Sequence, residues 1–451
     1  MSWYPSAQQL YQKRAYHFGG FLLIHYTSIK NDFGLFIVGE TNNILYRSLL
    51  FRTFMASTFT NHLLCIVFAL AICSGCGSGW SDTIARQNHE PGSIAEIDSI
   101  VEKFMKKYDM PGLSLAIAKN DSLLYVKGYG YADISAQKEV TDSSQFRIGC
   151  LSQPITAMAV LTLVGQGKIS LDEKVFGTEG ILGNDYGSKP YDARIKDITV
   201  KELLDHFAGW ENEDNTLLNS SLSASQILHL VLDSVSLQSP PGKNFDFSYL
   251  GYIVLGKIIE KVTGKPYAEY IHKEILDPVG DTDMKIGGNT MKDRQTNEVA
   301  HYVRTFLNDN YEDDEYYTQN ISNMQAACGW LASAKDLLTL LVRVDKFRYK
   351  PDIFNDSMMQ IMLTPYDSNS HFSSGWWSNN KFHNWFAVGN YWATPSEMAR
   401  ADNGYCWVML TNKAPQQIGA DDELDKMIWE IINDSSIRWP KKDLFLYIQN
   451  Q

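Results

Sequence analysis

Apolar and polar positions are most regularly patterned over residues 111–131. Pro111-Gly112-Leu113-Ser114-Leu115-Ala116-Ile117-Ala118-Lys119, then residues 123–131, reads as two strands around an Asn120-Asp121 turn. Tyr405-Cys406-Trp407-Val408-Met409-Leu410-Thr411 is a β-branched and aromatic run ended by Asn412-Lys413, and it predicts a third strand. Residues 93–108 and 422–432 carry apolar side chains every three to four positions, the spacing of helices that cover a sheet. Ser93, with Glu96 three residues later, fits a capping box at the start of the first helix. Residues 155–330 read as helices and long loops.

The start of the chain follows another pattern. Leu63-Leu64-Cys65-Ile66-Val67-Phe68-Ala69-Leu70-Ala71-Ile72 is apolar throughout. A run of this length is about half of the roughly 20 residues needed to span a bilayer, but it suits the core of a signal peptide. It leads into Cys73-Ser74-Gly75-Cys76. That junction resembles a bacterial lipoprotein signal, which implies that Cys76 is lipidated and begins the mature protein. Cys73 stands where leucine is usual in such signals. The expectation is export and membrane attachment through lipid, at the periplasm or cell surface of a bacterium; a buried helix is the alternative. Residues 1–54 show no domain-like periodicity and read as an extension or as a misassigned start before Met55. Residues 77–92 read as a linker.

Bulk properties set limits. With 451 residues, 44% of them hydrophobic, the chain can bury one large core or two sub-domains. Net charge is −12, of which residues 1–54 contribute +3 and residues 55–76 nothing, leaving −15 for the rest. An acidic body argues against nucleic acid as a partner. The body has no CxxC pair and no His/Cys cluster at metal spacing, so neither a metal nor a cofactor is expected. No repeat or low-complexity tract stands out.

The most informative stretch is Phe146-Arg147-Ile148-Gly149-Cys150-Leu151-Ser152-Gln153-Pro154. It resembles the nucleophile segment F-R-I-G-S-x-S-K-P of the penicillin-recognising serine hydrolases: penicillin-binding proteins, class C β-lactamases, and related esterases and D-aminopeptidases. Further segments resemble the same family in the same order. They are Ile198-Thr199-Val200-Lys201-Glu202-Leu203-Leu204-Asp205-His206, Pro240-Pro241-Gly242, Gly251-Tyr252-Ile253-Val254-Leu255-Gly256, and Cys328-Gly329-Trp330-Leu331-Ala332-Ser333. The resemblance spans roughly residues 93–440. It implies a mixed α/β (α+β) fold of the β-lactamase/transpeptidase type: an antiparallel sheet flanked by helices, with an inserted helical part over roughly residues 155–330 and a cleft between the two.

The resemblance also implies roles for particular positions. In the family a serine attacks, a lysine one helical turn later takes its proton, a tyrosine of a Y-x-N motif assists, and a glycine-bearing strand lets substrate lie close. Here Cys150 stands for the serine and Gln153 for the lysine. Phe247 stands for the tyrosine and Tyr249 for the asparagine. His383-Asn384-Trp385 is placed at the third motif, with Trp385 in the glycine position obstructing the strand. A thiol attacks only as thiolate, and an amide does not take up a proton near neutral pH.

Plainer readings accompany these. Cys150, Cys328 and Cys406 fit core positions, and three cysteines after Cys76 leave any disulfide open. His206 and His383 fit structural hydrogen bonding. Trp376, Trp377, Trp385, Phe386, Tyr391 and Trp392 are either core or a cleft remodelled to stack a ring or sugar. Two functions follow. One is a non-catalytic relative that binds a small molecule, peptide or glycan, or a protein partner, in the former active-site cleft. The other is an esterase, amidase or peptidase that uses Cys150 as nucleophile, assisted by Tyr249 or His383.

Overall fold

A computed structural model describes residues 94–445 apart from 189, 211–220, 281–282, 306–307, 313–319, 380–382, 390–393 and 414–418, together with three short strands nearer the start of the chain. The chain divides into two compact units, Met1–Glu90 and Pro91–Gln451. In the first, Ala15–Phe18, Phe21–Ile24 and Ile37–Val38 pair as an antiparallel sheet. These strands of two to four residues are too short to impose a readable period on residues 1–54. The apolar run 63–72, Cys76 and the 77–92 linker lie outside the described residues.

The second unit is built on an eight-stranded sheet. In chain order its strands are β1 (Gly112–Lys119), β2 (Ser122–Asp133), β3 (Lys138–Glu139), β4 (Phe372–Ser373), β5 (Trp376–Asn379), β6 (Asn384–Gly389), β7 (Ser396–Arg400) and β8 (Tyr405–Thr411). Across the sheet the order is β4-β5-β6-β7-β8-β1-β2-β3, every pair antiparallel. The β1–β2 hairpin turns at Asn120 (φ +48°) and Asp121 (φ +62°), two residue types that tolerate the left-handed backbone of a two-residue turn. β8 pairs with β1 from Tyr405↔Lys119 to Thr411↔Leu113, so the hairpin and the C-terminal strand share one sheet, as the family resemblance implies.

Both faces of β1 and β8 are buried, because helices lie on each side. Helices α1 (Ala95–Tyr108) and α5 (Ala420–Asn433) pack together on one face, and α4 (Ala334–Leu341) covers the other. Successive side chains of a strand point to opposite faces. Trp407 therefore meets Trp429 of α5 at 5.3 Å, while Tyr125 and Tyr129 of β2 donate to Asp98 of α1 at 2.8 and 2.9 Å. Helix α1 starts one residue later than the predicted capping box places it. Its N-cap is Ile94, whose side chain caps nothing, and Ser93 lies outside the described residues.

Between residues 152 and 328 the described chain is mainly helical. Helix α2 (Ser152–Gly165) is buried on nearly every side and packs against α3 (Tyr249–Thr263) and Gln325–Cys328. A helix enclosed in this way carries apolar residues all round rather than on one stripe, which explains why Ile155, Ala157, Met158, Ala159, Val160 and Leu161 run consecutively or nearly so.

Several carboxyls are buried in this unit. Burial and the adjacent Asp121 push Asp345 up to about 8, and burial pushes Asp425 up to about 7. Such groups keep a proton in the native state that the unfolded chain releases near pH 4. Their stabilisation is complete below that pH and is lost as pH rises towards 8. Buried neutral His206 and His301, both pushed below 6.5, act in the opposite sense and only below about pH 6.5. The melting temperature should therefore fall between pH 7 and 8.5, and fall less in Asp345→Asn. A melting temperature that rises with pH across that interval would contradict this assignment.

Candidate functional site

The segment that carries Cys150 is held from both sides. Phe146–Arg147 pairs with Trp330–Ala332, and Ile148 N–H continues the ladder to Trp330 O at 3.1 Å. Arg147 Nε donates to Glu298 Oε1 at 2.9 Å, both side chains buried, and Arg147 Nη2 donates to Gly288 O at 2.7 Å. The chain then tightens into a 3₁₀ turn, Gly149–Leu151, that runs directly into α2. Cys150 is half-buried at the start of α2, and Gln153 follows on the same helix face.

Gln153 is 1% exposed. Its oxygen is engaged by His206, with Nε2 to Oε1 at 3.3 Å. The tautomer follows from the other ring nitrogen: Ser248 N–H donates to His206 Nδ1 at 3.2 Å, so Nδ1 accepts and Nε2 carries the proton. Burial pushes His206 down to about 3, which keeps it neutral. It sits at the end of a short helix, Val200–Leu204, fixed by a Thr199/Glu202 capping box, and its own φ of +63° is unusual for a residue with a side chain. Beside it Asp205 is fully buried 2.7 Å from Lys201 Nζ and accepts Ser374 N–H at 3.0 Å. Gly375, with φ +86°, brings the β4–β5 turn against α2, where an added Cβ would lie 2.6 Å from Pro154 N.

Aromatic rings line the rest. Phe247 lies 4.4 Å from the His206 ring and 5.3 Å from the Tyr249 ring. Phe245 meets Trp377 at 5.7 Å and Phe372 at 5.6 Å, and Phe372 lies 4.8 Å from His206. Phe245, Phe247, Tyr249 and Trp377 are half-buried, so they form the rim. Cys150 Sγ donates to Tyr249 Oη at 3.8 Å. The hydroxyl missing at Phe247 is thus replaced, beside the thiol, by the one on Tyr249. Ser248 between them caps α3 by accepting Gly251 N–H at 3.0 Å.

The structure brings Cys150, Gln153, Phe247 and Tyr249 together, but not His383, Asn384 and Trp385. Strand β6 reaches the 148–151 turn through its far end, where an added Cβ on Gly389 would lie 2.4 Å from Ile148 O. Trp385 is four residues back, roughly 13 Å along the strand. There it is 5% exposed with the Arg400 guanidinium 4.3 Å from its ring centre. His383 is exposed and offers its carbonyl to Arg400 Nη1 at 2.8 Å, and Asn384 Oδ1 accepts Asp402 N–H at 2.7 Å. These three residues build a structural corner around Arg400, so Trp385 does not obstruct the cleft. Tyr391 and Trp392, beyond Gly389, lie outside the described residues. Trp376 and Phe386 are core, and among the described residues Trp377 is the tryptophan of that group at the rim.

Cys328 and Cys406 are buried, and among the described residues Cys150, Cys328 and Cys406 form no disulfide. Among the described residues no three His, Cys, Asp or Glu side chains gather as a metal site, and no helix is long and apolar enough to cross a membrane. The pairing of His206 with Gln153 escapes sequence reading. The one available signal was the Asp205-His206 end of the 198–206 segment.

A family model described as Beta-lactamase matches residues 97–426. The Protein flp of Staphylococcus aureus (strain MRSA252) is 25% identical over 306 residues, 66% of this chain and 58% of that protein. The chain therefore spans less than two thirds of that relative's length. The octameric penicillin-binding protein homologue from Pyrococcus abyssi superposes with a TM-score of 0.61 at 21% identity, covering 74% of this chain and 77% of that one. The D-amino acid amidase from Ochrobactrum anthropi SV3, complexed with L-phenylalanine amide, gives 0.61 at 20% identity, covering 75% and 99%.

Proposed function

The chain belongs to the Beta-lactamase family, and from that premise we propose that it is a non-catalytic member whose former active-site cleft binds a ligand or partner. One observation carries this reading. The position of the general base holds Gln153, buried, with its oxygen already engaged by a neutral histidine. An amide in that state takes no proton from a nucleophile and returns none to a leaving group. His206 cannot substitute, because its proton-accepting nitrogen is occupied by Ser248 N–H.

A second reading has one observation in its favour. Cys150 stands at the N-terminal end of α2, where the helix dipole favours a thiolate. The thiol could then attack. Return of the proton to the leaving atom would still fall to Tyr249, a phenol 3.8 Å away. An unbiased hydrolase screen on the protein with Cys150→Ala beside it separates the two readings. The expected result is equal background in both, and turnover that vanishes in the variant would establish the thiol enzyme.

We also propose that the protein is exported and anchored by lipid at Cys76, on the strength of the 63–72 apolar run and the Ser74-Gly75-Cys76 junction. The mature form should begin at Cys76 and partition with membranes. A Cys76→Ser variant with unchanged location would rule this out.

A further inference from the structure

Gln153 also has a nitrogen, and nothing among the described residues accounts for it. Among the described residues its Nε2 has no hydrogen-bond partner, although the side chain is 1% exposed. Buried amide N–H groups are almost always paired, and an unpaired one is destabilising. The oxygen is turned to His206, so the nitrogen is turned away from it, on the helix face that Gln153 shares with Cys150. Around the Gln153–His206 pair stand half-buried Phe247, 4.4 Å from the His206 ring, then Tyr249, 5.3 Å from Phe247, and Cys150, whose Sγ is 3.8 Å from Tyr249 Oη.

We propose that Gln153 Nε2 is the anchor of this cleft and donates to the neutral carbonyl of a ligand whose flat ring lies among Phe245, Phe247 and Trp377. This rests on the reading that the cleft binds rather than turns over its ligand, and it adds the ligand's chemical class. The anchor is a pure donor, because its own oxygen is committed and cannot rotate inward without breaking the bond to His206. A carbonyl answers it; an ammonium group does not. A carboxylate would accept too, but it would be buried among rings with no free cation among the described residues to meet it. Lys201, the cation that reaches this layer, is already 2.7 Å from buried Asp205, and an unpaired buried charge is strongly unfavourable. The rim supplies stacking surface with no added charge.

Three probes that share one ring test this: benzamide, benzoate and benzylammonium, titrated into the full chain with binding followed by saturation-transfer NMR. Benzamide should bind, and the two charged probes at least about ten-fold more weakly. Gln153→Leu should weaken benzamide by about ten-fold, as loss of one buried hydrogen bond does. His383→Ala, at an exposed position outside the cleft, should leave its affinity unchanged. Gln153→Glu keeps an oxygen for His206 and so guards against misfolding; it should weaken benzamide and strengthen benzylammonium. Benzoate binding as tightly as benzamide, benzamide binding unaffected by Gln153→Leu, or no binding of any probe at millimolar concentration would each overturn the proposal. Hydrolysis of a probe would instead overturn the non-catalytic reading beneath it.

Discussion

Cys150→Ser alone yields no measurable hydrolysis of an activated ester such as p-nitrophenyl acetate, and it stays on the order of 10⁴- to 10⁶-fold below a working serine hydrolase. Serine would place a hydroxyl where the thiol is, beside the same amide, and a hydroxyl needs a base more than a thiol does. Gln153→Lys supplies a candidate base, and the surroundings favour the form that can act. His206 presents an N–H to position 153, because Nδ1 is held by Ser248. A donor aimed at the amine, together with burial, disfavours the ammonium and lowers the lysine's pKa. Phe247→Tyr restores the second hydroxyl, and Tyr249→Asn clears the phenol now touching Sγ. Turnover should therefore emerge only when at least the first three changes are combined. Trp385→Gly adds nothing to the cleft. It would leave a cavity under Arg400 at a cost of about 3–5 kcal/mol. Substantial hydrolysis by Cys150→Ser alone would reveal a base already in place.

Glu298→Ala is the substitution expected to destabilise the fold most, by about 3–5 kcal/mol in urea unfolding. Arg147 and Glu298 form an ion pair with 3% and 0% side-chain exposure, and removing one partner leaves a buried guanidinium uncompensated. The loss reaches further than the pair. Glu298 Oε2 also accepts Gln295 N–H at 3.0 Å, and the neighbouring backbone is tied to Gln145 by Val299 N to Gln145 O at 2.9 Å. This clasp orients the strand that leads to Cys150. A double replacement by apolar residues, Arg147→Met with Glu298→Leu, should recover much of the loss, since it buries no charge. A single variant within 1 kcal/mol of the parent would show that the pair is dispensable.

The parts of this fold that were legible in the sequence are those set by local pattern. The β1–β2 hairpin has a nearly continuous apolar, buried first strand and two residues that accept positive φ at its turn, and Tyr405–Thr411 has the composition of a buried strand. The start of α1 falls one residue later than the Ser93/Glu96 pattern predicts, with Ile94 at the N-cap. In the site, Cys150 and Gln153 were legible because three-residue spacing on one helix fixes their relation. Phe247 and Tyr249 were legible from Gly251-Tyr252 downstream. The third wall was not. A strand bearing Trp385 and Phe386 near one end and Gly389 at the other does not say which end meets α2; tertiary packing decides it. The partnership of Gln153 and His206 joins residues 53 apart through a left-handed backbone, which no periodicity announces.

The most direct test of the central claim is intact-mass spectrometry of the full chain after prolonged incubation with a panel of penicillins and with p-nitrophenyl acetate. A nucleophile without a base to activate it should leave the protein at its starting mass with every compound. A covalent acyl adduct that maps to Cys150 would contradict the account and make the protein an enzyme.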